Sequence, residues 1–260
     1  MQNKQVWRVP ANVGIIVLAA GKGTRMKGLK FKVLRIIEGK PIIGWTCRLI
    51  DELKPELAVF VLSYKALQVK KAIETSSTRT NIAFTIQDIV EGTGAATMLG
   101  LRLMPQKIAT VLVLTGDDSA LYRPVTLKSL IEFHLKENNY STFLTTSYKR
   151  PLGVGGLERD RQGNVVGVLT KDELIKQKVS PTEVVCGAFC FNRNWLDKNI
   201  KLLKKGKTGE YPLPGLIQIG ASKREYVRTF QLPDKNEWNS VNTQVELACA
   251  RRKKKILLNL

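Results

Sequence analysis

The chain has 260 residues, 43% of them hydrophobic, enough to bury the core of one large α/β domain or two small ones. Its single histidine, His134, excludes Ser-His-Asp triads, Cys-His pairs and His-rich zinc sites, and no apolar run approaches the ~20 residues that cross a bilayer. The formal charge of +20 favours anionic partners, but aromatic residues do not interleave with it as a base-stacking surface requires, so no nucleic acid is expected.

Residues 1–10 carry Lys4 and Arg8 with no apolar core behind them, so no secretory signal is expected and the expected compartment is cytoplasmic. An apolar strand over 13–19 then breaks into Gly21-Lys22-Gly23-Thr24-Arg25. Glycines at a strand end let backbone N–H groups face an approaching phosphate, and Lys22 and Arg25 add positive charge. The spacing fits neither GxGxxG nor GxxxxGK[ST], and a ligand-free glycine turn is the plain alternative. Lys32 follows seven residues after Arg25, as a phosphate contact or as a lysine lying along the surface. A helix over 41–53, a strand over 57–63, a helix over 64–74 and a strand over 82–86 come next. In the following QDIVEGTGAA, Gln87 can hydrogen-bond a base edge while Gly92-Thr93-Gly94 wraps a flat ring. Thr93 also reads as a helix cap. A helix over 94–103 leads to a strand over 110–115 ending in Gly116-Asp117-Asp118. Carboxylates there suit a hard cation; an Asx turn or helix cap is the alternative.

A helix over 124–137 starting at Pro124, a strand over 142–146, a hairpin over 155–169 turning at Asp160–Asn164, and a strand over 184–191 complete the main pattern. Cys186 and Cys190 lie on that last strand and read as buried free thiols. Residues 198–209 form a Lys/Gly-rich surface stretch. Residues 241–260 read as a terminal helix with a solvated basic face over 251–255. Its apolar end offers a contact for a possible homo-oligomer or an anionic surface. Strands alternating with helices predict an α/β fold, Rossmann-like and doubly wound, with a mostly parallel mixed sheet and an inserted β-hairpin. Ligands in such sheets bind beyond the carboxyl ends of the strands.

Residues 18–26 with Lys32-Val33-Leu34, residues 91–96, Gly116-Asp117, Gly209-Glu210-Tyr211 with Leu213, and Val241-Asn242 resemble the sugar-1-phosphate nucleotidyltransferases. Among these, the uridylyltransferase domain of the bifunctional N-acetylglucosamine-1-phosphate uridylyltransferases is the most similar. The resemblance extends over about 13–250 and implies the fold of the nucleotide-diphospho-sugar transferases. It makes 1–240 a single nucleotidyltransferase domain and 241–260 a C-terminal basic helix. It also implies joining of a nucleoside triphosphate, UTP first, to a sugar-1-phosphate with loss of pyrophosphate. Arg25, Lys32 and Asp117 would be catalytic, and Asp117 and Asn242 would hold Mg²⁺. Ala19, Ala20, Gly21, Gly23, Thr24, Gln87, Gly92 and Thr93 would bind the nucleotide, with Gly153, Gly155 and Gly187 around the sugar. The acceptor side departs from the pattern: Val154-Gly155-Gly156-Leu157 stands for YGRI, Val185-Cys186-Gly187 for Asn-Thr-Gly, and Thr170-Lys171-Asp172 for Glu-x-Lys-Asp. A cytidylyltransferase with another phosphorylated acceptor, or a catalytically silent nucleotide-binding regulator, therefore stands beside the first reading.

Overall fold

A computed structural model describes residues 9–21, 31–63, 65–76, 79–147, 155–177, 183–225 and 227–259. β1 (Val13–Leu18) is buried at every position, as its unbroken apolar run requires of a strand covered on both faces. A short antiparallel pair, β2 (Ile36–Ile37) and β3 (Lys40–Pro41), precedes α1 (Ile42–Leu53). β4 (Leu57–Leu62), α2 (Ala66–Glu74), β5 (Ile82–Ile86), α3 (Thr93–Arg102), β6 (Thr110–Thr115) and α4 (Pro124–Lys136) follow. The second half holds β7 (Ser141–Ser147), the hairpin β8 (Gly156–Arg159) and β9 (Val165–Leu169), α5 (Lys171–Gln177), β10 (Glu183–Asn192), α6 (Arg193–Asn199), α7 (Leu216–Ser222), β11 (Val227–Gln231) and α8 (Gln244–Leu258).

Among the described residues the main sheet has the order β11-β7-β10-β6-β1-β4-β5. β10 runs antiparallel to both neighbours, and the other pairs are parallel. This is the expected Rossmann-like, mostly parallel mixed sheet. The chain winds outward from β1 through β4 to β5, then returns to place β6 on the other side of β1. The loops leaving β1 and β6 therefore diverge, which opens a crevice at the carboxyl ends of those strands.

Alternate β1 residues feed two cores. Ile15 and Val17 join a cluster with Leu130 and Ile131 of α4, and Ile16 and Leu18 one with Ala96 of α3 and Leu216 of α7. Each such full burial is worth roughly 1.5–3 kcal/mol. Gly100 lets α3 lie close on β1, since a Cβ there would stand 2.7 Å from Ile16 Cγ2.

Cys186 and Cys190 are buried free thiols. His134 is buried against Thr142, its Nδ1 2.9 Å from Thr142 Oγ1, and burial pushes its pKa down to about 4. It serves the core. No helix among the described residues is long and apolar enough to cross a membrane.

The terminal helix forms as expected, and Arg251, Arg252 and Lys255 of its basic run are exposed. Leu247 and Ala250 of α8 pack on Ile37, Ile42, Trp45 and Leu121. Lys253 and Lys254 turn inward, against the expectation of a wholly solvated basic face. Arg251 Nε donates to the Ile36 carbonyl at 3.0 Å, Lys253 Nζ to the Lys235 and Trp238 carbonyls at 3.0 and 2.7 Å, and Lys254 Nζ to the Ala120 carbonyl at 2.7 Å. Lys254 also lies 4.0 Å from the centre of the Trp45 ring. Long basic side chains bury their stems and spend their ammonium groups on backbone acceptors. The pattern of β11, VRTFQ, carries no uninterrupted apolar run, which is why no strand was expected there; it pairs at the sheet edge with β7 alone.

Candidate active site

The end of β1 is tied to the ends of β4 and β6. Ala19 N donates to the Val61 carbonyl at 2.9 Å, and Gly116 N to the Leu18 carbonyl at 2.9 Å. Ser63 Oγ donates to the Ala20 carbonyl at 2.5 Å. A Cβ at Gly116 would lie 3.2 Å from the Leu18 carbonyl oxygen, so glycine keeps the two strand ends in contact.

Beyond them opens a cavity of about 260 Å³. It gathers Ala20, Gly21, Lys32, Gln87, Gly92, Thr93 and Asp117, with Ala19 buried directly behind. Leu18, Val33, Val90, Ala96, Thr115, Glu210 and Pro212 complete its wall. Gly23, Thr24, Arg25 and Gly153 lie outside the described residues. A larger cleft of about 1070 Å³ sits at the opposite ends of the strands, by Val9, Arg48, Asp51 and Arg79, away from the diverging loops.

Gly92 stands at φ +92°, and a Cβ there would be 2.8 Å from Glu210 Cβ and 2.9 Å from Tyr211 N. Only glycine fits both demands. The segment around Tyr211 is strapped to this loop: Tyr211 N donates to the Glu91 carbonyl at 2.7 Å and Gly94 N to the Tyr211 carbonyl at 2.8 Å. Thr93 does not cap α3. The cap position is Gly92, and Thr93 Oγ1 instead accepts from Leu213 N at 2.8 Å. Gln87, 3% exposed, keeps its amide toward the Gly92 carbonyl, 3.5 Å away.

The cationic centre is Lys32, almost buried on the single helical turn Lys32–Leu34. Its Nζ donates to Asp117 Oδ2, and to Asn242 Oδ1 at 2.9 Å. Burial alone would lower the lysine pKa, but the Asp117, Asp118 and Glu246 carboxylates outweigh it and hold the ammonium above its ordinary value. Asn242 is presented by the turn into α8. There Glu246 accepts from Asn242 N at 2.5 Å, Thr243 N at 2.8 Å and Ser240 Oγ at 2.8 Å. Thr243 Oγ1 in turn accepts from Glu246 N, closing a capping box. Asp118 accepts from Trp238 Nε1 at 3.3 Å. Burial and the neighbouring Asp117 push its pKa up to about 7, against the pull of Lys32 and the Trp238 N–H. Ser119 Oγ, 2.7 Å from Thr46 Oγ1, braces the turn that follows.

Asp117 Oδ2 and Asn242 Oδ1 converge on one point, and both are hard oxygen donors of the kind Mg²⁺ takes. Among the described residues, no three His, Cys, Asp or Glu side chains meet to hold a metal alone. A cation here would draw its remaining ligands from substrate phosphates and water, as Mg²⁺ commonly does.

Two of the expected acceptor residues stand apart from the cavity. Gly187 lies on β10, where the register against β7 slips between Val185 and Phe189. A Cβ there would fall 1.7 Å from Thr115 Oγ1 and 3.1 Å from Asp118 Oδ2. Gly155 packs on the hairpin, its would-be Cβ 2.7 Å from the Leu169 carbonyl oxygen. Sequence reasoning missed Glu246 and Trp238 as supports. The Thr243-x-x-Glu246 spacing carries a readable signal for the first; nothing local marks the second.

Residues 14–250 match the family model described as nucleotidyl transferase. The chain is 32% identical over 239 residues to the bifunctional protein GlmU of Lactobacillus helveticus, covering 92% of this chain and 50% of that one. It is 33% identical over 244 residues to the bifunctional protein GlmU of Corynebacterium aurimucosum, covering 93% and 50%. The chain thus spans about half the length of the curated relatives it matches. A solved UDP-glucose pyrophosphorylase, complexed with UDP-glucose, superposes with a TM-score of 0.76 over 95% of this chain and 99% of that one at 16% identity, a likeness of fold.

Proposed function

The chain belongs to the nucleotidyl transferase family, and from that premise we infer that it joins UTP to a sugar-1-phosphate, with Mg²⁺, and releases pyrophosphate. The observation that carries this reading is the meeting of Lys32, Asp117 and Asn242 at the rim of the strand-end cavity.

The acceptor phosphate oxygen attacks the α-phosphorus, forming the new O–P bond as the bond to the pyrophosphate oxygen breaks in line. The attacking phosphate is already an anion, so no general base is needed, which suits a chain whose one histidine is buried in the core. Positioning and charge neutralisation do most of the work in such transfers. Lys32, with Arg25 from the glycine loop, offsets charge on the α-phosphate and the leaving pyrophosphate. Asp117 and Asn242 would hold Mg²⁺, which when bound neutralises triphosphate oxygens. Ala19, Ala20 and Gly21 leave room for the nucleotide, Gly23 and Thr24 would contact it, Gln87 offers a donor and an acceptor to the base edge, and Gly92 and Thr93 close round it. Gly153, Gly155 and Gly187 would contact the acceptor, beyond the wall that Thr115 contributes.

A panel of nucleoside triphosphates against sugar-1-phosphates and other phosphorylated alcohols, read by pyrophosphate release, tests this. UTP with a sugar-1-phosphate is expected to give the fastest release. CTP with a non-sugar acceptor would replace the reading by a cytidylyltransferase. UTP binding with no release from any acceptor would make the chain a silent regulator, an outcome motivated by the altered Val185-Cys186-Gly187 strand.

A further inference from the structure

The same ammonium that would serve the phosphates sits between the oxygens that would hold the metal. Lys32 Nζ donates to Asp117 Oδ2 and to Asn242 Oδ1 at once, the latter at 2.9 Å. A cation bound by those two oxygens and the lysine ammonium cannot share that position, for they compete for the same lone pairs and repel each other.

We propose that, before nucleotide arrives, Lys32 fills the seat between Asp117 and Asn242, so that a divalent cation loads there only together with a triphosphate. This rests on the function inferred above, because a phosphate must be present to draw the lysine away.

Three further observations support the coupling. The seat is braced: Glu246 holds the backbone N–H groups of Asn242 and Thr243 and the Ser240 hydroxyl, which fixes the turn that presents Asn242. The lysine has an outlet: it is itself part of the cavity wall with Gly21, Gly92 and Thr93, so a triphosphate in that cavity gives the ammonium a new anion close by. The seat is also poor in protein ligands, with no three metal-type side chains meeting among the described residues, so a free cation has little with which to displace the lysine.

Mn²⁺ binding to the full chain, followed by the electron-resonance signal of the free ion, tests the proposal. Without nucleotide, Lys32→Met is expected to bind Mn²⁺ about tenfold or more tighter than wild type, a normal size for coupling between sites. UTP should raise Mn²⁺ affinity strongly in wild type and much less in the variant. Lys205→Met removes the same charge from an exposed lysine paired with Glu91. It should leave Mn²⁺ affinity within about twofold, since exposed charges are screened. Lys32→Met binding no tighter than wild type, or Lys205→Met gaining as much, overturns the proposal.

Should Lys32→Met fail to fold, the ammonium resonance of ¹⁵N-lysine wild type decides. Mg²⁺ alone should leave the Lys32 signal in place, and Mg²⁺ with UTP should move it. A signal moved by Mg²⁺ alone overturns the proposal. Wild-type UTP binding and pyrophosphate release, measured in parallel, separate the two claims. If wild type turns over while the Mn²⁺ arms fail, only the seat falls. If wild type binds no nucleotide, the inferred function falls with it.

Discussion

The two flanks of the crevice are built to different plans. On one flank, β1, β4 and β5 run parallel, and their ends deliver Gly21, Gln87 and Gly92 into one cavity laced by backbone hydrogen bonds. On the other, β10 runs antiparallel between β6 and β7, its register slips, and Gly187 presses on Thr115 with no space for even a methyl group. In the reaction proposed above, every triphosphate would present the same phosphates to the first flank. The second would meet the acceptor, and it is where the sequence leaves the pattern it otherwise resembles. The contrast suggests that one flank sets the chemistry and the other the choice of substrate.

The largest break in this division comes from Asp117→Asn. It should lower kcat by about 10²–10³-fold with every acceptor while circular dichroism stays native, since it removes the charge at the reacting centre. Activity within a few-fold of wild type would remove Asp117 from the chemistry. Lys32→Ala should cut kcat by roughly 10²-fold and raise the UTP KM far less, the mark of an interaction made in the transition state. Next, Gly187→Ala should raise the acceptor KM about tenfold, near 1.4 kcal/mol, and the UTP KM by less, since the new methyl must displace Thr115 on the cavity wall. Equal movement of both KM values would show that the flanks are not separable. Gln87→Leu should relax discrimination between UTP and CTP by about tenfold, read from competing kcat/KM values.

The smallest effect concerns the α8 brace. Burial, then repulsion from Arg48, hold Lys254 down at about pH 8, against Glu52 and Glu237. Below that pH both folded and unfolded states carry the proton. Between about 8 and the ordinary lysine value near 10.4, the unfolded state binds more protons, so stability should rise with pH. Denaturant titrations across that window should show the rise in wild type and a shallower slope in Lys254→Met. Parallel slopes would mean that Lys254 is not desolvated.

The parallel core was readable because strands buried on both faces must be continuously apolar, as VGIIVL and TVLVLT are. The Gly92 turn was readable because close backbone approach leaves a composition signature. Thr93 was misjudged as a cap because a hydroxyl beside a helix start can serve another strand of chain as well, here Leu213. The inward turn of Lys253 and Lys254 in α8 is hidden from the sequence for a similar reason. Charge in sequence does not say whether an ammonium meets water or a carbonyl, and Lys254 meets Ala120. The reach of Asn242 to Lys32 was available only through resemblance, since no local rule joins residues so distant.

Lys32 is 85 positions from Asp117 and 210 from Asn242. Among the described residues the cavity wall ends at Pro212, so a chain cut short before Asn242 would carry every one of those wall residues and still lack the amide oxygen that holds Lys32.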